Sequence, residues 1–166
     1  MSLRQRVRSD RQLARLLQIG VVLEEVVEAR AYHHFNSLSE AERAELDPAI
    51  EELLDHAVEE SAEHRDRLEA LIDALDAESI PFEAVEELVR EQYGQTKPED
   101  FDGILYDQLH GEETAFKFYD DLIEAIQASS VSFGIDRVRV LAELRAIREE
   151  EKEGVREVTQ IMEGRQ

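Results

Sequence analysis

The stretch FDGILYDQLHGEETAFKFYDDLIEAI, residues 101–126, decides the fold class. Phe101, Ile104, Leu105, Ala115, Tyr119, Leu122 and Ile126 recur at intervals of three and four, the period of a helix with one buried stripe. Glu112 falls on that same stripe, seven residues after Leu105. A charge in a dry core costs several kcal/mol unless something compensates it. The stretch therefore predicts a long amphipathic helix and asks what neutralises its inward carboxylate.

The same period runs outward in both directions, with no strand-like alternation. A helix from Asp10 to Asn36 turns Leu13, Leu16, Leu17, Gly20, Val21, Val27, Ala31 and Phe35 inward. After a short acidic turn, Ser39 to Leu46, Asp47-Pro48 supplies an N-cap and an N1 proline for the next helix. Its stripe is Ile50, Leu53, Leu54, Ala57, Ser61, His64, Leu68, Leu71 and Leu75. A last helix, after a loop from Ser129 to Gly134, carries Ile135, Val138, Leu141, Leu144, Ile147, Glu151, Val155, Val158 and Met162. Residues 76–100 are too long for a turn, and hold a short predicted helix from Pro81 to Gln92 that ends near Gly94. The expectation is one all-α domain over residues 1–166: a four-helix bundle with a single long crossover, behind a basic arm at residues 1–9.

Composition narrows the function classes. The chain has 40 Asp and Glu against 19 Lys and Arg, a formal net charge of −21, and 42% hydrophobic residues, enough to build a core. It contains no cysteine, which excludes disulfides, thiolate zinc, cysteine-ligated iron, iron–sulfur clusters and a cysteine nucleophile. So acidic a surface repels phosphate backbones and anionic membranes, so neither nucleic acid nor membrane is an expected partner. The arginines of the opening segment are expected to lie against the protein itself or a second subunit. The apolar run from Leu16 to Leu23 is too short for a membrane span and is interrupted by Glu24 and Glu25; a cytoplasmic protein is expected. Lysine is confined to Lys97, Lys117 and Lys152, and the acidic composition resembles that of proteins from salt-loving archaea.

Most acidic residues solvate outer faces. The informative ones point inward: Glu25 between Val22 and Val26, Glu112, and Glu151 between Ile147 and Val155, with His64 on its stripe and Glu60 one turn before it. Carboxylates and imidazole facing one another suit iron or manganese better than soft-ligand metals. Three other arrangements satisfy the same residues: protonated carboxylates, pairing with an inward arginine such as Arg148, or a stripe displaced by one position. His33 and His34 fall near a helix C-terminus, where capping or surface roles are expected. His56 and His110 point off their stripes. No glycine-rich phosphate loop, nucleophile elbow or zinc-protease motif occurs.

Spacing links the halves. Glu25 to Tyr32 and Glu112 to Tyr119 are both seven residues apart, and Leu54, Ala57, Glu60 and His64 correspond to Leu144, Ile147, Glu150 and Gly154 at a constant offset. From Leu13 to Met162 these features resemble the ferritin-like superfamily, in particular its rubrerythrin-type and ferritin-type dimetal carboxylate proteins. In that family helices one and three each give a Glu and helices two and four each give Glu-x-x-His. The resemblance implies Glu25, His64, Glu112 and Glu151 as metal ligands. Tyr32 and Tyr119 would be tyrosines that hydrogen-bond opposing ligands. Ser61 stands where the family has a bridging Glu and Gly154 where it has a His; Glu60, four residues before His64 on the same helix face, is expected to join the ligands, and Glu28 or Glu150 could reach in as well.

The resemblance implies a di-iron or single-iron site, or manganese, with ferroxidase, iron-handling or peroxide-reducing oxidoreductase chemistry fed by an external electron donor. The competing expectation is a metal-free or mononuclear bundle with a structural or regulatory dimer role. A homodimer or larger assembly is expected from the breadth of apolar surface around Leu16, Ile19, Val22 and Val26.

Overall fold

The computed structural model describes residues 7–36, 38–76, 87 and 101–164. Among them there is no strand. Four long helices, α1 (Asp10–Asn36), α3 (Pro48–Leu75), α4 (Phe101–Ala128) and α5 (Arg137–Gly164), are joined by a short α2 (Glu40–Glu45) ahead of α3. Helices of this length run to about 40 Å.

The ends follow from local chemistry. Asp47 accepts a hydrogen bond from the Ala49 amide at 2.9 Å, and Pro48 takes the first turn of α3. The expected acidic turn before it is instead a helix: Ser39 and Glu42 form a reciprocal capping box, the Ser-x-x-Glu pattern that satisfies two orphan amides at once. At the α4–α5 loop, the Arg137 guanidinium gathers the carbonyls of Ile126, Ser129 and Val131. The Gly134 amide donates to both carboxylate oxygens of Asp10, at 2.8 and 3.0 Å. A β-carbon at Gly134 would lie 2.6 Å from Asp10 Oδ2, so a glycine is needed for this tie between the start of α1 and the loop.

Helix α1 packs chiefly on α3 and α4 on α5, with narrower contacts of α1 with α4 and of α3 with α5. Two apolar clusters give the directions. One joins the start of α1 (Leu13, Leu17) to the end of α3 (Leu68, Leu75), the end of α4 (Leu122, Ile126) and the start of α5 (Val140, Leu144). The other joins Ala31, Ile50, Leu54, Leu105 and Val158. Helices α3 and α4 thus run opposite to α1 and α5. The chain leaves α3 at one end and enters α4 at the other. Apart from Asp76 and Glu87, the predicted crossover and its short helix lie outside the described residues, as do residues 1–6 of the predicted basic arm; Val7 is buried.

The predicted stripe of α3 is buried without exception. In α5, Val140 is buried while Val138, predicted inward, is 73% exposed, because repeated steps of three from Leu144 through Leu141 drift off the face of a helix with about 3.6 residues per turn. Leu16 and Val22, expected on a partner surface, are buried within the chain itself. No described helix is long and apolar enough to cross a membrane.

Candidate metal centre

Between the two apolar clusters lies a polar layer to which every long helix contributes. Helix α1 brings Glu24, seven residues from both Leu17 and Ala31; α3 brings Glu60 and His64; α4 brings Glu112; α5 brings Glu151. Each is flanked along its helix by residues of both clusters, so the helical period that buries the leucines also carries these groups inward.

Two triads form. Ligand atoms of Glu24, His64 and Glu151 lie within 4.8 Å of one another, and so do those of Glu60, Glu112 and Glu151. Glu151 belongs to both. His64 Nδ1 is 3.2 Å from Glu24 Oε1 and 3.1 Å from Glu151 Oε1. Its Nε2 is 3.1 Å from Glu150 Oε2, to which the Arg67 guanidinium donates at 2.8 Å. The Tyr119 hydroxyl donates to Glu24 Oε1 at 2.6 Å, and the Gln108 amide donates to Glu112 Oε1 at 2.8 Å. Glu24 Oε2 is buried with no hydrogen-bond partner.

Electrostatics mark the layer as short of positive charge. Burial, then the charge of Glu112, raises Glu60 to about 7 against the pull of His64 and His56. Burial also pushes Glu112 up, although its bond to Glu151 and the Gln108 amide oppose it. Glu151 is pushed well above the carboxylate range by burial and by Glu24. Two carboxylates hydrogen-bond to each other only when one of them carries a proton, and burial favours that form at both Glu112 and Glu151. Burial alone would lower His64, but the Glu24 hydrogen bond and the charges of Glu24, Glu60 and Glu150 outweigh it and raise the imidazole. Tyr119 is raised well beyond its ordinary value by burial and by Glu24, which keeps its hydroxyl a donor.

Of the residues read from the sequence, Glu60, His64, Glu112 and Glu151 come together. Glu25 does not join them: it is half-buried and belongs to neither triad, and Glu24 takes the place expected of it. Helix α1 is apolar nearly all round, so its stripe admitted either residue. The seven-residue spacing to Tyr32 favoured Glu25, whereas the spacing to Leu17 and Ala31 marks Glu24. The side chain of Tyr32 lies outside the described residues. Glu28 pairs with Arg65 at 2.7 Å and Arg148 with Asp120 at 3.0 Å, both away from the triads. Glu150 reaches His64 as anticipated.

Sequence reading missed Gln108, Arg67 and the meaning of Gly154. A β-carbon at Gly154 would lie 2.7 Å from Glu112 Oε2 and 2.9 Å from its carboxyl carbon. The space beside Gly154 is filled by the Glu112 carboxylate itself, which only glycine leaves room for. His34, expected at the surface, is buried, with Nε2 2.7 Å from Asp107 Oδ2, while Arg30 donates to both Asp107 oxygens at 2.6 and 2.9 Å. His33 is exposed.

The chain matches no family model, no curated protein and no solved structure when compared with them. The donor set stands on its own chemistry: carboxylate oxygens with one imidazole nitrogen, enclosed and orientated by hydrogen bonds, fit hard or borderline divalent cations of the iron and manganese kind.

Proposed function

We propose that the protein is a ferritin-like four-helix bundle that binds iron, or alternatively manganese, in this layer, with Glu24, Glu60, His64, Glu112 and Glu151 as ligands. The observation that carries the reading is Glu24 Oε2, a fully buried carboxylate oxygen without a partner, beside an imidazole and further carboxylates. Native proteins rarely leave such a group unsatisfied. Fully ionised, the four carboxylates of the two triads would carry four negative charges, which two divalent ions would neutralise. The sharing of Glu151 between the triads supports two adjacent positions in spite of Ser61 and Gly154.

The chain's own groups have separable roles. Tyr119 orientates Glu24, Gln108 orientates Glu112, and Glu150, fixed by Arg67, holds the far nitrogen of His64 so that Nδ1 faces the ligands. Bound iron would supply redox chemistry toward oxygen or peroxide. With no cysteine in the chain, electrons would come from a separate donor. A homodimer or larger assembly in the cytoplasm is part of the same reading, supported by the partly exposed apolar side chains of Ile19 and Val26 on α1.

One feature favours a second reading, a metal-free or single-ion bundle: the burial that raises Glu112 and Glu151 favours their protonated forms, which would satisfy part of the layer without any ion. Metal content of protein purified without chelators in high salt, followed by anaerobic Fe(II) titration and oxygen exposure, separates these. Two equivalents with an oxidation-linked absorbance are expected. One equivalent supports the single-ion form. No metal, together with raised stability in Glu24→Gln and Glu112→Gln, overturns the proposal, because removing charge from an empty carboxylate layer relieves repulsion.

A further inference from the structure

The ligands of the centre are almost sealed. The side chains of Glu24 and His64 are wholly buried, and that of Glu151 is 4% exposed. Two places among the described residues connect the layer to solvent. One is Glu150, 41% exposed, behind His64; the other is Glu60, 16% exposed.

The two openings differ in charge. At Glu150 the Arg67 guanidinium sits 2.8 Å from the carboxylate and is tied to Glu143 at 2.9 Å as well, so a fixed cation stands where an arriving cation would have to pass. At Glu60 no arginine or lysine pairs with the carboxylate among the described residues. Its Oε2 is 2.8 Å from Nε2 of His56, one turn earlier on α3. Its carboxylate also supplies an atom to the triad with Glu112 and Glu151. Glu60 therefore touches a surface imidazole on one side and two buried ligands on the other. His56 in turn lines an open groove of about 490 Å³ between α3 and α5, together with Glu52 and Glu157. Carboxylates along a groove concentrate divalent cations, and a His/Glu pair four residues apart on one helix face can hold one ion between them.

We infer that the groove between α3 and α5 is the uptake route of the metal centre: a divalent cation gathered by Glu52 and Glu157 binds between His56 and Glu60, and Glu60 passes it to Glu112 and Glu151. The inference rests on the proposed metal centre and adds how ions reach it. Each transfer exchanges one oxygen or nitrogen ligand for another, with no change in oxidation state. His56 belongs to the route alone, so it sets how fast ions enter and leave but not how tightly they are held.

The test is stopped-flow Co(II) uptake by the chelator-stripped protein, with release into excess chelator and equilibrium titration alongside. His56→Ala changes a half-exposed residue on the helix surface and leaves the core untouched. It is expected to slow uptake and release by the same factor, about tenfold, with stoichiometry and Kd within twofold of the parent protein. Glu52→Gln with Glu157→Gln is expected to slow uptake less and to flatten its dependence on ionic strength. Unchanged rates in His56→Ala overturn the route while leaving the centre standing. A weakened Kd with unchanged uptake also overturns it, since His56 would then be a ligand of the centre itself and not of the route. If the parent protein binds no Co(II), Mn(II) or Fe(II), the centre itself fails and the route with it.

Discussion

Asp107 and Glu112 are buried carboxylates five residues apart on α4, 5% and 6% exposed, and they are compensated in opposite ways. Asp107 meets a bidentate guanidinium from Arg30 and the imidazole of His34, so its charge is answered within the chain by a group that does not lose its proton. Glu112 meets Glu24, Glu60 and Glu151 with one histidine among them. The first site is satisfied by groups of the chain itself. The second is closed only by protons or by a cation from outside. Burial alone does not mark a functional carboxylate; an unbalanced count of charges does.

The contrast is broken most severely at Arg30. Arg30→Met should leave Asp107 charged in the core and cost about 3 kcal/mol, equally with and without metal, in urea unfolding followed in high salt. A loss that metal restores would show that the two sites are not independent.

The next effect is on pH. In the stripped protein Glu60, His64, Glu112 and Glu151 are all raised in the folded state, so the native form binds more protons than the unfolded chain. Stability should be greatest at and below the ordinary carboxylate range and fall as pH rises toward about 7, where Glu60 titrates. Glu60 alone accounts for on the order of 2 kcal/mol after allowance for its partial exposure. Molar salt, with a Debye length of about 3 Å, removes the surface repulsion that would act in the same direction. Glu60→Gln should flatten the fall near neutrality. A metal-saturated sample should lose the trend, because ions displace the protons and bind more tightly as pH rises. Stability that climbs between pH 5 and 7 in stripped protein would contradict the charge imbalance.

The smallest change in stability is expected at Gly154. In Gly154→Ala the new methyl displaces the Glu112 carboxylate, while alanine adds up to about 1 kcal/mol of helix propensity. Net stability should move by less than about 1 kcal/mol, yet Co(II) affinity should fall about tenfold, as read by titration. Unchanged affinity would mean that Glu112 holds no ion.

The helices were legible wherever apolar and acidic residues alternate sharply. The stripe of α3 was read residue for residue because acidic neighbours bound it on both sides and Asp47-Pro48 marks its start. On α1 that contrast is missing: Leu16, Leu17, Val21, Val22 and Leu23 are all buried, so period alone could not choose between Glu24 and Glu25. His34 and Asp107 are 73 residues apart, and neither carries a local sign of the other.

What the sequence determined by itself is the helical class, the helix starts set by caps and proline, and the presence of more carboxylate than a core can hold unaided. These follow from local rules: a 3.6-residue period, capping geometry and charge count. The tertiary structure decided which carboxylates meet, that Asp107 is neutralised while Glu112 is not, and that Gly154 makes room for an oxygen. Those outcomes depend on the rotation and axial shift of each helix against its neighbours. A change of one residue in register turns a side chain by about 100° around the helix, and only packing across all the helices settles it.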